Sequence, residues 1–401
     1  MPSTTSPLHL AVALDGAGWH PAAWREPDAR PADLFSAPYW VDLAAEAERG
    51  LLDFVTIEDS LGQQSTRYTG PDGRTDRVRG RLDAVLTAAR IAPLTRHLGL
   101  IPSAVVTHTE PFHLSKAVAT LDYVSTGRAG VQIRVSGRAD EAAHFGRRDV
   151  PRLPVTELDS PAGLALLKEL FGEAADYVEV VRRLWDSWED DAEIRDVATG
   201  RFIDRAKLHY IDFEGTLFSV KGPSITPRPP QGQPLVAALA HRSEPFQLVG
   251  TSADIGFVTP HDTAQAAAIV AEIRTAQEQA GRGGETVHIL ADLVVLLDDE
   301  PGRAAERRAR LDAALDTPYA GDATVFAGTP AELADLLEEF ARTGPTGFRL
   351  RPATLPYDLE RITRDLVPEL QRRGAFRREY GAATLRGLLG LPRPANRYAA
   401  A

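Results

Sequence analysis

Cysteine is absent from this 401-residue chain, which excludes a disulfide framework, a thiolate metal site, an iron–sulfur cluster and a cysteine nucleophile. Blocks of Lys and Arg are also missing. With a formal net charge of −11, the chain lacks the basic surface needed for general binding to nucleic acid or anionic membrane. No apolar run is long enough to span a bilayer. The opening MPSTTSPLHLAVALDGAG has no basic leader, and Asp15 interrupts its apolar run, so it reads as a first strand and cytoplasm as the default compartment. HExxH, a His-x-His after the first strand, GxSxG and GxxxxGK[ST] are all lacking, so no metal is expected.

At 43% hydrophobic and 25% charged residues, the composition is that of an ordinary globular protein with a sizeable core. Strands are expected at 8–14, 54–58, 98–105, 130–136, 234–239, 255–259, 287–297 and 347–350. Helical patterns fall at 39–49, 82–92, 111–124, 174–188, 264–280, 301–314, 331–343 and 357–374. This alternation predicts an α/β fold, a (β/α)8 TIM barrel formed by residues 1–401 as a single domain; a doubly wound open sheet competes with it. Insertions near 61–80, 137–172 and 189–232 interrupt the repeat. In a barrel, loops that follow strands lie at the C-terminal face, so the first two should cover a pocket there.

The most informative stretch is ATLDYVSTGRAGVQIRVSGRADEAAHFG, in which Val131, Ile133 and Val135 alternate with Gln132, Arg134 and Ser136. In a parallel strand covered on both faces, polar side chains are costly unless something satisfies them, and a ligand is one candidate. An antiparallel strand with a solvated face is the plain alternative. Glu58 and Asp59 end the second strand, and Arg349 and Arg351 flank Leu350 in the eighth. Either these arginines are solvated on opposite loops, or with Arg134 they make a basic mouth that recognises carboxylate or phosphate, with Glu58 neutralising one of them. His20, His108, His144 and His241 each follow a strand, and a barrel would gather them at one mouth. His97 precedes a strand and reads as structural. Gly16 and Gly18 read as a tight turn, and LWDSWEDD as a core face and helix end.

Over nearly its whole length the chain resembles the bacterial luciferase-like, flavin-dependent monooxygenases, in the branch of the nitrilotriacetate, dibenzothiophene-sulfone and streptogramin-biosynthetic enzymes. The resemblance rests on GWHPAAWREPD, FVTIEDS, EPFHLSKAVATLDYVSTGRAG, AAHFG, YVEVVRRLWDSWEDDA, HYIDFEGTLFSVKGP, GTPAELADLLEEF and LGLPRPANRY, in the family's order. It implies a TIM barrel with insertions, a homodimer, and reduced FMN supplied by a partner flavin reductase for reaction with O2 and a small organic substrate. Residue by residue, it implies that Asp59, Ser103, Gln132 and Ser136 contact the flavin. His20, His108 and His144 are then the candidates for a general acid or base. Glu58, Arg134, Arg349 and Arg351 are the candidates for substrate binding.

The chain also departs from the family. Val131 and Gln132 stand where tryptophan and asparagine are common, and His144 stands for asparagine. The family's phosphate pocket pairs Arg-Tyr with a Gly-x-Ser-x-x-Gly segment, where this chain has Leu170-Phe171 and Ala240-His241-Arg242-Ser243-Glu244-Pro245. Either His241, Arg242 and Ser243 rebuild the phosphate site, or flavin binding has weakened or been lost. An FMN monooxygenase is the leading expectation. The alternatives are a deazaflavin-dependent reductase on the same barrel and a catalytically silent paralogue.

Overall fold

The computed structural model describes residues 7–399 except Thr66, Tyr68 and Thr69; those three positions of the 61–80 insertion, and residues 1–6 of the opening segment, lie outside the described residues. The short apolar runs become β1 (His9–Leu14), β2 (Phe54–Ile57), β3 (Gly99–Val105), β4 (Gly130–Arg134), β5 (Leu235–Ala240), β6 (Ile255–Val258), β7 (His288–Leu297) and β8 (Gly347–Pro352). Each lies parallel to the next, and β8 pairs back onto β1 from His9↔Gly347 to Val12↔Leu350. This is a closed (β/α)8 barrel, the expected TIM fold. The doubly wound open sheet is thereby excluded.

Alternation along each strand sorts its residues. One face packs against the helices, and the other fills the barrel in layers. Ala11, Phe54, Ile101, Leu235, Ile255 and Leu290 form an apolar inner cluster that Leu385, Leu389 and Leu391 of the C-terminal tail join. Each large side chain buried this way stabilises the fold by about 1.5–3 kcal/mol. Two residues further along, the inner face turns polar with Thr56, Ser103, Gln132, Asp292 and Arg349, all buried.

The flanking helices begin where side chains satisfy free backbone N–H groups. Asp83 accepts from Leu86 N to start α1 (Ala84–Ile91). Next comes α2 (Pro111–Val124). Ser160 caps α3 (Pro161–Asp186) through Gly163 N. No helix among the described residues is long and apolar enough to cross a membrane.

Four features differ from the sequence reading. The 26-residue α3 starts at Pro161, so 161–172 belongs to a helix and not to an insertion. A helix absent from the expected set, α4 (Ser243–Ser252), follows β5. A further strand, Thr324–Gly328, pairs with the outer half of β7 from Leu293↔Thr324 to Leu297↔Gly328. The 189–232 insertion holds two small hairpins, Glu193–Asp196 with Arg201–Ile203 and Phe213–Glu214 with Ser219–Val220. At the tight turn after β1, Gly18 has φ +128, and a Cβ there would lie 2.4 Å from the Ala353 carbonyl oxygen, so only glycine fits.

Candidate active site at the barrel mouth

The loops that follow β2, β3 and β4 are tied to one another above the barrel. Ser60 Oγ donates to Glu141 Oε1 (2.8 Å), and Ser136 N donates to Thr107 Oγ1 (2.8 Å). The 61–80 insertion is fastened to the loop after β1, where Trp24 Nε1 donates to the Asp76 carbonyl (3.1 Å), and its Arg74 pairs with Asp316. Arg81 forks onto Asp15 at 2.6 and 3.1 Å. Asp59 accepts from Ser60 N (2.7 Å) and Ala84 N (2.9 Å), which fixes the route from β2 into α1; burial nevertheless raises its pKa above the ordinary value.

Inside the mouth lies a continuous charge network. Arg349 Nε donates to Asp292 Oδ1 (2.9 Å), and its Nη1 reaches Gln132 Oε1 (2.6 Å), Thr56 Oγ1 (3.2 Å) and Glu58 Oε1 (3.4 Å). Its guanidinium carbon stands 3.9 Å from the centre of the Phe257 ring. Arg351 bridges Asp292 (2.9 Å) and Asp322 (2.6 Å) and lies over Trp19 at 4.4 Å. Burial works against the Asp322 carboxylate, but Arg351 outweighs it and brings the pKa down to about 2. Glu58 is shared, because its second oxygen accepts from Arg134 Nη1 at 3.2 Å. Arg349 and Arg351 are fully buried and committed, so neither presents a free N–H edge to a substrate.

Sequence reasoning missed Asp292, Asp322, Thr56 and Trp19. Asp292 had a signal, as the single charged residue in the strand HILADLVVLL. An isolated acid in a buried strand needs a cation or hydrogen-bond donors to offset its lost hydration.

Ser103 Oγ, Gln132 Nε2 and His108 Nε2, at this end of the barrel, are among the buried polar atoms that have no hydrogen-bond partner among the described residues. Ser103 and Gln132 are register partners on β3 and β4, and Gln132 reaches across to Arg349, so both side chains face the interior. The His108 ring stacks on Phe145 (centroids 5.5 Å apart), and burial lowers its pKa below 6.5, which keeps it neutral near neutral pH. The other histidines differ. His20 is held at both nitrogens, by Asp312 Oδ1 (3.1 Å) and by Ala22 N (3.1 Å), while His144 is exposed at the end of the short helix Ala139–Ala143. His97 stacks on Tyr380 (4.8 Å). Ser136 is buried beside Thr107.

After β5, His241 Nδ1 shares a hydrogen bond with Thr259 Oγ1 (3.0 Å) and its Nε2 lies 3.5 Å from Asp322; burial lowers its pKa. Arg242 and Ser243 open α4, whose first turn has no side-chain cap. A helix start of this kind suits an anion. Arg242 already pairs with Asp159 and lies 3.4 Å from Glu244.

The family model described as luciferase-like monooxygenase matches residues 17–323. The chain is 30% identical to the N-acetyl-S-(2-succino)cysteine monooxygenase of Bacillus subtilis (strain 168), with 100% of both chains covered. It is 28% identical to nitrilotriacetate monooxygenase component A of Aminobacter aminovorans over 97% of each. A solved riboflavin lyase, holding modified FMN and substrate riboflavin, matches with a TM-score of 0.83 at 25% identity over 96% of each chain.

Proposed function

Since this chain belongs to the luciferase-like monooxygenase family, we propose that it is the oxygenating component of a two-component system, taking reduced FMN from a separate flavin reductase and using O2 to oxidise a small organic substrate. The observation that carries this reading is the set of unpartnered atoms on Ser103, Gln132 and His108, since buried polar groups without partners mark places where a ligand supplies them. A relative described as component A and a neighbour holding modified FMN support the same cofactor and arrangement.

When bound, the flavin would supply the O2 chemistry. Ser103 and Gln132 would hold its polar ring edge, with Asp59 and Ser136 fixing the loops around it. Ser243 and the N–H groups opening α4 would take its phosphate, with His241 and Arg242 alongside. Neutral His108 can accept or return a proton at Nε2. With flavin and substrate bound, the joined loops after β2 and β4 would limit the access of water to the reacting groups.

The test is anaerobic titration of the purified protein with reduced FMN and with reduced deazaflavin. Tight binding of reduced FMN alone is expected. Ser103→Ala should weaken that binding without lowering stability, because the hydroxyl has no hydrogen-bond partner among the described residues. Binding of deazaflavin alone would point to a reductase, and binding of neither to a silent paralogue.

A further inference from the structure

Arg134, Arg349 and Arg351 stand on the inner faces of β4 and β8, and their hydrogen-bond inventories set one apart. Every nitrogen of Arg349 and Arg351 donates to Asp292, Asp322, Gln132, Thr56 or Glu58. Arg134 uses only Nη1, which donates to Glu58 Oε2 (3.2 Å) and to the Asp59 carbonyl oxygen (2.7 Å). Its Nε and Nη2 have no partner among the described residues, and the side chain is 34% exposed. One edge of the guanidinium is therefore pinned, and the opposite edge is open.

The position of that open edge matters. Arg134 lies two residues beyond Gln132 on the inner face of β4, about 7 Å further toward the mouth. It thus sits one rung outside the layer where Ser103 and Gln132 present their unpartnered atoms. The Nε–Nη2 edge of a guanidinium matches the two oxygens of a carboxylate, and a pinned side chain loses little rotamer freedom on binding.

We propose that Arg134 is the specificity-determining residue of this site and that the substrate carries a carboxylate, bound by the open edge of Arg134. The proposal rests on the oxygenase reading and adds a substrate class to it. Glu58 acts as a positioning residue, holding Arg134 in place while its second oxygen stays with Arg349.

Calorimetric titration of the purified protein, with and without reduced FMN under anaerobic conditions, tests this with succinate and its neutral diamide, succinamide. Succinate should bind and succinamide should not. Arg134→Gln should lose succinate affinity tenfold or more while keeping its affinity for reduced FMN. Arg134→Lys keeps the charge without the fork, and should recover only part of the loss. Equal binding of the two probes would overturn the assignment. So would a joint loss of FMN and succinate in Arg134→Gln, which would give Arg134 to the cofactor. If the unaltered protein discriminates the probes but binds no flavin, the carboxylate site stands and the oxygenase reading falls.

Discussion

Arg349 and Asp292 are direct partners across β8 and β7, with Nε donating to Oδ1 at 2.9 Å and both side chains fully buried. Asp292 also accepts from Arg351 Nε at 2.9 Å, so one carboxylate holds two cations in the barrel interior. Removing it strands buried charge, whereas replacing a buried pair with apolar groups can be nearly neutral. Asp292→Ala is expected to cost about 3–5 kcal/mol in urea unfolding. Arg349→Met combined with Asp292→Ala should cost less than the sum of the two single changes. Strict additivity would show that the pair does not act as a unit.

Glu58 and Arg134 should also be coupled, since they meet at 3.2 Å with Glu58 buried. A double-mutant cycle with Glu58→Gln and Arg134→Gln is expected to give an interaction of about 0.5–3 kcal/mol. A value indistinguishable from zero would mean that Glu58 serves Arg349 alone.

His288 provides a pH dependence. Its Nε2 donates to the Leu389 carbonyl (2.8 Å), and burial, helped by neighbouring His9, brings its pKa down from 6.5 to about 4. The folded state therefore prefers the neutral ring. Between these two values the unfolded chain binds a proton that the native chain does not, so stability rises with pH. The contribution is complete above the unfolded value and is lost as pH falls toward about 4, amounting to about 3 kcal/mol. His288→Gln should flatten the unfolding free energy over that window; an unchanged slope would remove His288 as its source.

At the opening of α4, Arg242 is shared with Asp159 and Glu244. Its free charge for a phosphate is reduced, so Arg242→Ala is expected to weaken FMN by about 1.5 kcal/mol, roughly tenfold, with riboflavin unaffected. Asp159→Asn releases the arginine and should tighten FMN without changing riboflavin. Parallel changes for both flavins would place Arg242 away from the phosphate.

Much of this architecture was legible. The alternation of Gln132 and Arg134 with Val131 and Ile133 identified a strand with a polar inner face, and Arg349 shares that face. What escaped notice has physical reasons. In α4, Pro245 disguised the helix, yet a proline in the first turn loses only an N–H that has no helical partner. In α3, Gly163 and Gly172 weakened the helical pattern of the first turns, although Ser160 caps them. Asp292 was hidden by nine apolar or uncharged neighbours in its strand.

The sequence by itself determined the alternation of strand with helix and the strand face that Gln132 and Arg134 share, because period and turn chemistry are local properties of the chain. Only the tertiary structure decided which arginine stays open. Arg134, Arg349 and Arg351 are alike as residues, and what separates them is how many of their N–H groups the closed barrel satisfies. Asp292 lies 57 positions from Arg349 and Glu58 lies 76 from Arg134, and these distances along the chain vanish only when β8 closes on β1 and the strands bring their inner faces together.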